Sequence, residues 1–216
     1  MKPDDAATME QIMADERAQS LVAELWSKRL ALPMTNMEFY RLVRTHEYLD
    51  SKSFIGLIET TLATASVTPS GSPLPVILSG IVPEPRGLLE TLDRAGAVVA
   101  GDDTACCGRR IYPPGTSSDV YTRCAQRILN APPDSTRGSP LRDRLDHLLR
   151  LARSCRARGV VFVGMQFCEV EQFDLPFLCH GLKAEGIDSI VVETDLKQPF
   201  GERAVTRIEA FLEVLR

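Results

Sequence analysis

Val160-Val161-Phe162-Val163-Gly164-Met165-Gln166-Phe167-Cys168-Glu169-Val170-Glu171-Gln172-Phe173-Asp174 is the stretch whose reading decides the fold. Val160 to Met165 is apolar without polar alternation, the pattern of a parallel strand covered on both faces. The residues that follow emerge at the carboxyl edge of a sheet, where an open α/β fold keeps its active site. Cys168 is thereby positioned to do chemistry.

Working outward, strands are expected at Pro75 to Ser79, Ala97 to Ala100, Val160 to Met165 and Ser189 to Glu193. Helices fall near Gly87 to Arg94, Ser117 to Asn130, Ser139 to Arg156, Phe173 to Glu185 and Glu202 to Val214. Such alternation calls for a four-stranded parallel sheet with flanking helices, a Rossmann- or flavodoxin-like half. Right-handed crossovers put every strand-end loop on one edge. That edge receives Gly80-Ile81-Val82, Asp102 to Cys107, Gln166 to Glu169, and Thr194-Asp195.

The first third of the chain has a different character. Met9, Ile12, Met13, Leu21, Val22, Leu25 and Trp26 recur at helical intervals from Asp5 to about Leu30, and Pro33 ends that run. Thr35-Asn36-Met37-Glu38 reads as a capping box opening a second helix to about Leu49. Ser51 or Ser53 opens a third, to about Ala65, and Thr68-Pro69-Ser70-Gly71-Ser72-Pro73 reads as a linker. The expected organisation is a helical connector over 1–67 and an α/β domain over 74–216.

With 216 residues, 44% hydrophobic and 25% charged, the chain has the make-up of an ordinary globular protein. A net charge of −4, with Arg interspersed among Asp and Glu, argues against a nucleic-acid surface. No apolar run approaches the ~20 residues of a bilayer span, and the first residues lack a signal-peptide core. The expected location is the cytoplasm. Thiols stay reduced there, so the six cysteines do not read as a disulfide framework. Cys124, Cys155 and Cys179 fall within helical patterns and read as small buried hydrophobes, whereas Cys106, Cys107 and Cys168 lie in loops, where metal or redox chemistry becomes a contender.

Neither G-x-G-x-x-G nor a Walker A sequence is present, so no NAD or ATP site is expected, and there is no G-x-S-x-G elbow. His46, His147 and His180 all fall in helical patterns and read as surface or satisfied core residues. Asp102 and Asp103 at a strand end are explained by carboxylates that accept backbone amides and set a turn. Adjacent Cys106 and Cys107 fit that explanation less well. Neighbouring side chains are expected to diverge, so one at most should point into the site. Cys168 alone cannot hold an iron-sulfur centre, which takes three or four thiolates. The residues themselves lead as far as a thiolate-bearing α/β domain.

Taken in order, Val99-Ala100-Gly101-Asp102-Asp103-Thr104 with the following Cys107-Gly108-Arg109, then Val160 to Pro176, Gly186-Ile187, Val191-Val192-Glu193-Thr194-Asp195 and Thr206 to Leu212 resemble the 2-hydroxyacyl-CoA dehydratase and benzoyl-CoA reductase family. The resemblance covers nearly the whole chain but only the back part of a family subunit, whose preceding α/β domain is missing here. It implies a 4Fe-4S cluster, with Cys168 as the metal ligand from this half and the other thiolates from the absent domain or a second subunit. It also implies a separate ATP-dependent activator, an acyl-CoA substrate and one-electron ketyl chemistry on the thioester. Cys106 or Cys107 would then be an auxiliary thiol near the cluster, and Asp102, Asp103, Glu169 and Asp195 polar residues at the site's edge. Two departures stand out: Pro132-Pro133-Asp134 lies where many relatives have a cysteine between prolines, and Val170 replaces a proline usual after the Cys-Asp/Glu pair.

Two further readings compete with an enzyme subunit. One is a non-catalytic accessory protein that keeps the α/β half for partner binding without a complete cluster. The other is a small-molecule-binding domain with incidental cysteines.

Overall fold

The computed structural model describes residues 4–65, 73–195 and 197–216. Four parallel strands, β1 (Leu74–Gly80), β2 (Ala97–Thr104), β3 (Gly159–Met165) and β4 (Asp188–Thr194), form one sheet in the order β2-β1-β3-β4. The chain runs from β1 outward to β2, then returns to the other side of β1 for β3. The sheet thus changes winding direction between β1 and β3, the switch point where open α/β sheets form a ligand crevice at their carboxyl ends. Cys168 follows β3 directly.

Strands β1, β2 and β3 are buried on both faces, as the uninterrupted apolar runs required, while the edge strand β4 is mostly half-buried. Val76, Leu78, Val161 and Val163 point into one core, shared with helices α1 (Asp5–Ser27), α2 (Asn36–Arg44), α3 (Ser51–Leu62), α4 (Arg86–Arg94) and α8 (Glu202–Val214). Ile77, Val160 and Phe162 point the other way, into a second core closed by α6 (Leu141–Cys155) and α7 (Glu169–Ala184). Helix α5 (Val120–Leu129) lies against α1. The front helices therefore share one core with the sheet. Of the expected linker from Thr68 to Pro73, residues 68–72 lie outside the described residues.

Local chemistry explains the helix starts. The Thr35 capping box forms in full: its hydroxyl accepts from the Glu38 amide at 3.1 Å, and the Glu38 carboxylate accepts from the Thr35 amide at 2.9 Å. The cap of α3 is Asp50 rather than either serine, its carboxylate accepting from the amides of Lys52 and Ser53. Asn36 ties the helical segment to the outer edge of β2: fully buried, its amide group donates to the Ala97 carbonyl at 2.9 Å and accepts from the Val99 amide at 2.8 Å. It supplies the two contacts a neighbouring strand would have made.

Several boundaries differ from the sequence reading, among them the end of α2, at Arg44 rather than near Leu49. Strand β2 runs four residues past Ala100, so Asp102 and Asp103 are strand residues. Helix α5 opens three residues later than Ser117, at Val120. Helix α7 begins at Glu169 rather than Phe173, which turns Cys168 from a mid-loop residue into the residue preceding the first helical turn.

Candidate functional site

Cys168 is held by local hydrogen bonds. Its amide donates to the Met165 carbonyl at 3.1 Å, and its carbonyl accepts from the Gln172 amide at 3.1 Å. The Gln172 side chain donates to the same Met165 carbonyl at 3.1 Å, and Gln166 donates to the Thr194 carbonyl at 3.0 Å. The loop is thus pinned to the ends of β3 and β4. Phe167, just before the cysteine, has φ 66°, a left-handed conformation uncommon for a bulky residue and of the kind that collects at functional sites. The half-buried thiol sits at the amino end of a helix, the end that favours negative charge.

Around it lies an exposed apolar patch. Phe167 is 92% exposed and Phe173 79%, with Val170 and Phe177 also at the surface. Residues 170, 173 and 177 follow helical spacing along one stripe of α7. Contiguous apolar surface of this kind marks an interaction site.

Behind the patch is a buried charge network that the sequence reading did not anticipate. Arg109, in the 3-10 turn Gly108–Arg110 after β2, forks onto Asp103 at 3.1 and 3.2 Å and onto Glu171 at 2.8 and 3.4 Å. Arg144 of α6 approaches both Asp103 and Glu171 at 3.5 Å and donates to Asp174 at 2.9 Å. Ser79 at the end of β1 donates to Asp103 at 2.7 Å, and Asp134 lies 3.8 Å from Arg109. Arg109, Arg144, Asp103 and Glu171 are each no more than 2% exposed. Two cations face two fully buried carboxylates, so the charges pair within the core, as burial demands. Glu171 stands in the first turn of α7, three residues from Cys168. The network therefore bolts the cysteine-bearing helix start to β1, β2 and α6.

The adjacent aspartates point to opposite faces of β2. Burial alone would raise the Asp103 carboxyl, but Arg109 by charge and hydrogen bond, then Arg144 and His147, outweigh it and hold it below the usual carboxylate range. Asp102 has no such cation. Burial raises it, against hydrogen bonds from the Tyr40 hydroxyl, Thr104 and Gly108. The expectation that Asp102 accepts backbone amides holds, with Thr104 at 2.8 Å and Gly108 at 2.6 Å. Tyr40 in turn is pushed well above its ordinary value by burial and by the Asp102 charge. His147 lies 3.7 Å from Asp103, and burial lowers it despite that neighbour.

Cys106 and Cys107 follow β2 on the helical-segment side. Their sulfurs are 3.5 Å apart, so the expected divergence of neighbouring side chains does not occur; a backbone turn at Cys107, with φ −126° and ψ −84°, brings them together. Cys107 is buried in the first core, and β1 separates its strand from that of Cys168, two strand spacings or roughly 10 Å apart. Asp195 accepts from the Lys197 amide at 2.9 Å, closing the turn after β4, and Glu169 is exposed in the first turn of α7. Cys155 and Cys179 are half-buried against the second core, and Cys124 is half-buried on α5. Among the described residues no three or more His, Cys, Asp or Glu side chains gather into a metal-binding group. The described residues by themselves do not make up the three or four thiolates that an iron-sulfur cluster takes.

A cavity of about 520 Å³ lies elsewhere, between α1, β2 and α6, with Trp26, Gly101, His147 and Cys155 among its lining. The convergent charges, the pinned loop and the switch-point geometry all favour the Cys168 edge over that cavity as the functional site.

An open parallel α/β sheet with a thiol at its switch point defines the class of protein. The family model described as 2-hydroxyglutaryl-CoA dehydratase, D-component, matches residues 2–215, and the chain belongs to that family. It is 30% identical over 142 residues to the (R)-phenyllactyl-CoA dehydratase beta subunit of Clostridium sporogenes, covering 65% of this chain and 37% of that protein. It is 23% identical over 181 residues to lactoyl-CoA dehydratase subunit beta of Anaerotignum propionicum, covering 82% and 48%, respectively. With (R)-2-hydroxyglutaryl-CoA dehydratase, subunit beta, of Acidaminococcus fermentans, identity is 27% over 150 residues, covering 65% and 38%. The match in each case spans less than half the length of the relative. No helix among the described residues is long and apolar enough to cross a membrane.

Proposed function

We propose that this chain is the C-terminal part of a beta-type subunit of a 2-hydroxyacyl-CoA dehydratase, acting in the cytoplasm on a CoA thioester. Its Cys168 contributes one thiolate to a 4Fe-4S cluster whose remaining ligands come from another domain or polypeptide, and a separate ATP-dependent activator serves as electron donor. The observation that carries this reading is the setting of Cys168: a thiol at the switch-point edge, ringed by exposed Phe167, Val170 and Phe173 and braced from behind by Arg109 and Glu171. Such a thiol is built to be covered by a partner surface. A cluster there would supply one-electron reduction of the thioester carbonyl. This chain's own part is to hold the Cys168 loop rigid and to provide the apolar surface that excludes water from the assembled site. The names of the three relatives favour dehydration over benzoyl-CoA-type ring reduction.

Anaerobic turnover tests the reading. The chain, a polypeptide supplying the preceding family domain, the activator and ATP are mixed with a 2-hydroxyacyl-CoA such as lactoyl-CoA, and product is followed by mass. Enoyl-CoA that requires every component, and is lost with Cys168→Ala, is the expected result. Product formation unaffected by omitting this chain would overturn it. The second reading, a partner-binding accessory protein without a cluster, rests on the exposed apolar residues Phe167, Val170, Phe173 and Phe177, and predicts tight association without turnover.

A further inference from the structure

We propose that Cys106 and Cys107 form a redox-modifiable dithiol, closing to a vicinal disulfide under a hydroperoxide and thereby loosening the charge network that braces the Cys168 loop. The two sulfurs are already 3.5 Å apart, and the Thr104 hydroxyl lies 3.6 Å from Cys106. Both cysteines line a cavity of about 230 Å³ together with Arg44 and Arg110, Cys106 half-buried and Cys107 buried. This division of labour suits one accessible attacking thiol and one protected resolving thiol. The hydrogen bond from Cys107, aided by Thr104 and the Arg44 charge, lowers Cys106 despite burial, while Cys107 is raised.

The chemistry balances with the oxidant named. Cys106 sulfur attacks the peroxide oxygen, cleaving the O–O bond to give a Cys106 sulfenic acid and water from hydrogen peroxide. Cys107 sulfur then displaces hydroxide from that sulfenic acid, its proton leaving with the hydroxide as a second water. Two thiols lose two electrons and two protons in all. Neighbouring Cα atoms are about 3.8 Å apart, below the ~4.4–6.8 Å usual for a disulfide. The bond is consequently strained and readily reduced, the character of regulatory disulfides.

The next two residues connect the pair to the site. The Gly108 amide donates to Asp102, and a Cβ on Gly108 would stand 2.0 Å from the Asp102 carbonyl oxygen, so the turn is packed without slack. Arg109 follows and forks onto Asp103 and Glu171. Re-aiming Cys107 to close the ring displaces Gly108 and Arg109, and with them the hold on the first turn of α7.

The test uses the folded chain, prepared reduced and then exposed to hydrogen peroxide at neutral pH. Free thiols are counted, the intact mass is measured, and peptides are mapped without reduction. Expected are a fall from six thiols to four, a Cys106–Cys107 bond reversed by dithiothreitol, and faster amide exchange over residues 169–174. Cys168→Ala should show the same 106–107 bond, and Cys107→Ser should accumulate a Cys106 sulfenic acid trapped by dimedone. Mapping of the native chain decides even if a variant fails to fold. A bond involving any other cysteine, a Cys106 sulfinic acid with Cys107 still free, or a 106–107 bond that leaves exchange over α7 unchanged would overturn the proposal.

Discussion

Asp102 and Asp103 are neighbours on one strand and do different work. Asp103 carries the buried charge network, while Asp102 accepts the Tyr40 hydroxyl and two backbone amides on the opposite face. Removing one member of a buried, paired set leaves the others uncompensated, at a cost of about 3–5 kcal/mol. Asp103→Asn should therefore lower the unfolding free energy in urea by that amount, and a loss below ~1 kcal/mol would contradict the network's role. The sign of the pH dependence follows from Asp103 being held below its ordinary value. Its contribution is fully present above ~3.9 and is lost as the pH falls through the folded value, so the gap between native and Asp103→Asn protein should narrow below about pH 4. Asp102, raised by burial, has the opposite slope: its contribution is present below ~3.9 and lost as the pH rises through its folded value, so Asp102→Asn should not narrow in that way. Cys168 stands out in the sequence because it follows an uninterrupted apolar strand. Arg109, Glu171 and Arg144 do not, because a charged residue reads as solvated until its partner is known, and Arg109 and Glu171 are 62 positions apart.

At the scale of elements, the sheet and its helices were legible because each strand is an apolar run and each helix an amphipathic stretch. The strand ends were not: β2 continues through Gly101, Asp102, Asp103 and Thr104, where the Asp103 carboxylate is satisfied by the side chains of Ser79 and Arg109 rather than by turn amides. Helix α7 starts early for a related reason, since Glu171 in its first turn is neutralised by Arg109 and Arg144. Asn36 gives a direct element-level prediction. Asn36→Ala strips partners from the Ala97 carbonyl and the Val99 amide, each worth ~1–3 kcal/mol when left unmade, so stability should fall by about 2–4 kcal/mol. A loss under ~1 kcal/mol in thermal or urea unfolding would contradict its role as the edge partner of β2. The apolar stripe on α7 predicts the reverse. Val170→Glu with Phe173→Glu changes exposed positions, so stability should stay within about 0.5 kcal/mol. Co-purification with the completing family domain should be abolished; retention of full binding would remove the patch from the interface.

At the scale of the whole molecule, one core joins the front helices to the sheet and a second closes the opposite face, leaving the Cys168 edge with exposed aromatic residues. Family membership covers residues 2–215, whereas the matched relatives are more than twice as long as the portions aligned. The fold was readable in the chain because it depends on local apolar patterning. The ligand set was not, because three or more donors do not meet among the described residues. The central claim, that Cys168 is this chain's ligand to a shared cluster, is tested most directly by iron content. The chain is co-expressed with the preceding family domain, purified anaerobically with iron and sulfide, and assayed for iron per chain and for visible absorbance, beside Cys168→Ala. Iron with a broad cluster absorbance in the native assembly, lost in Cys168→Ala while the assembly still forms, is the result predicted. Iron and absorbance unchanged in Cys168→Ala, or an iron-free native assembly, would contradict it.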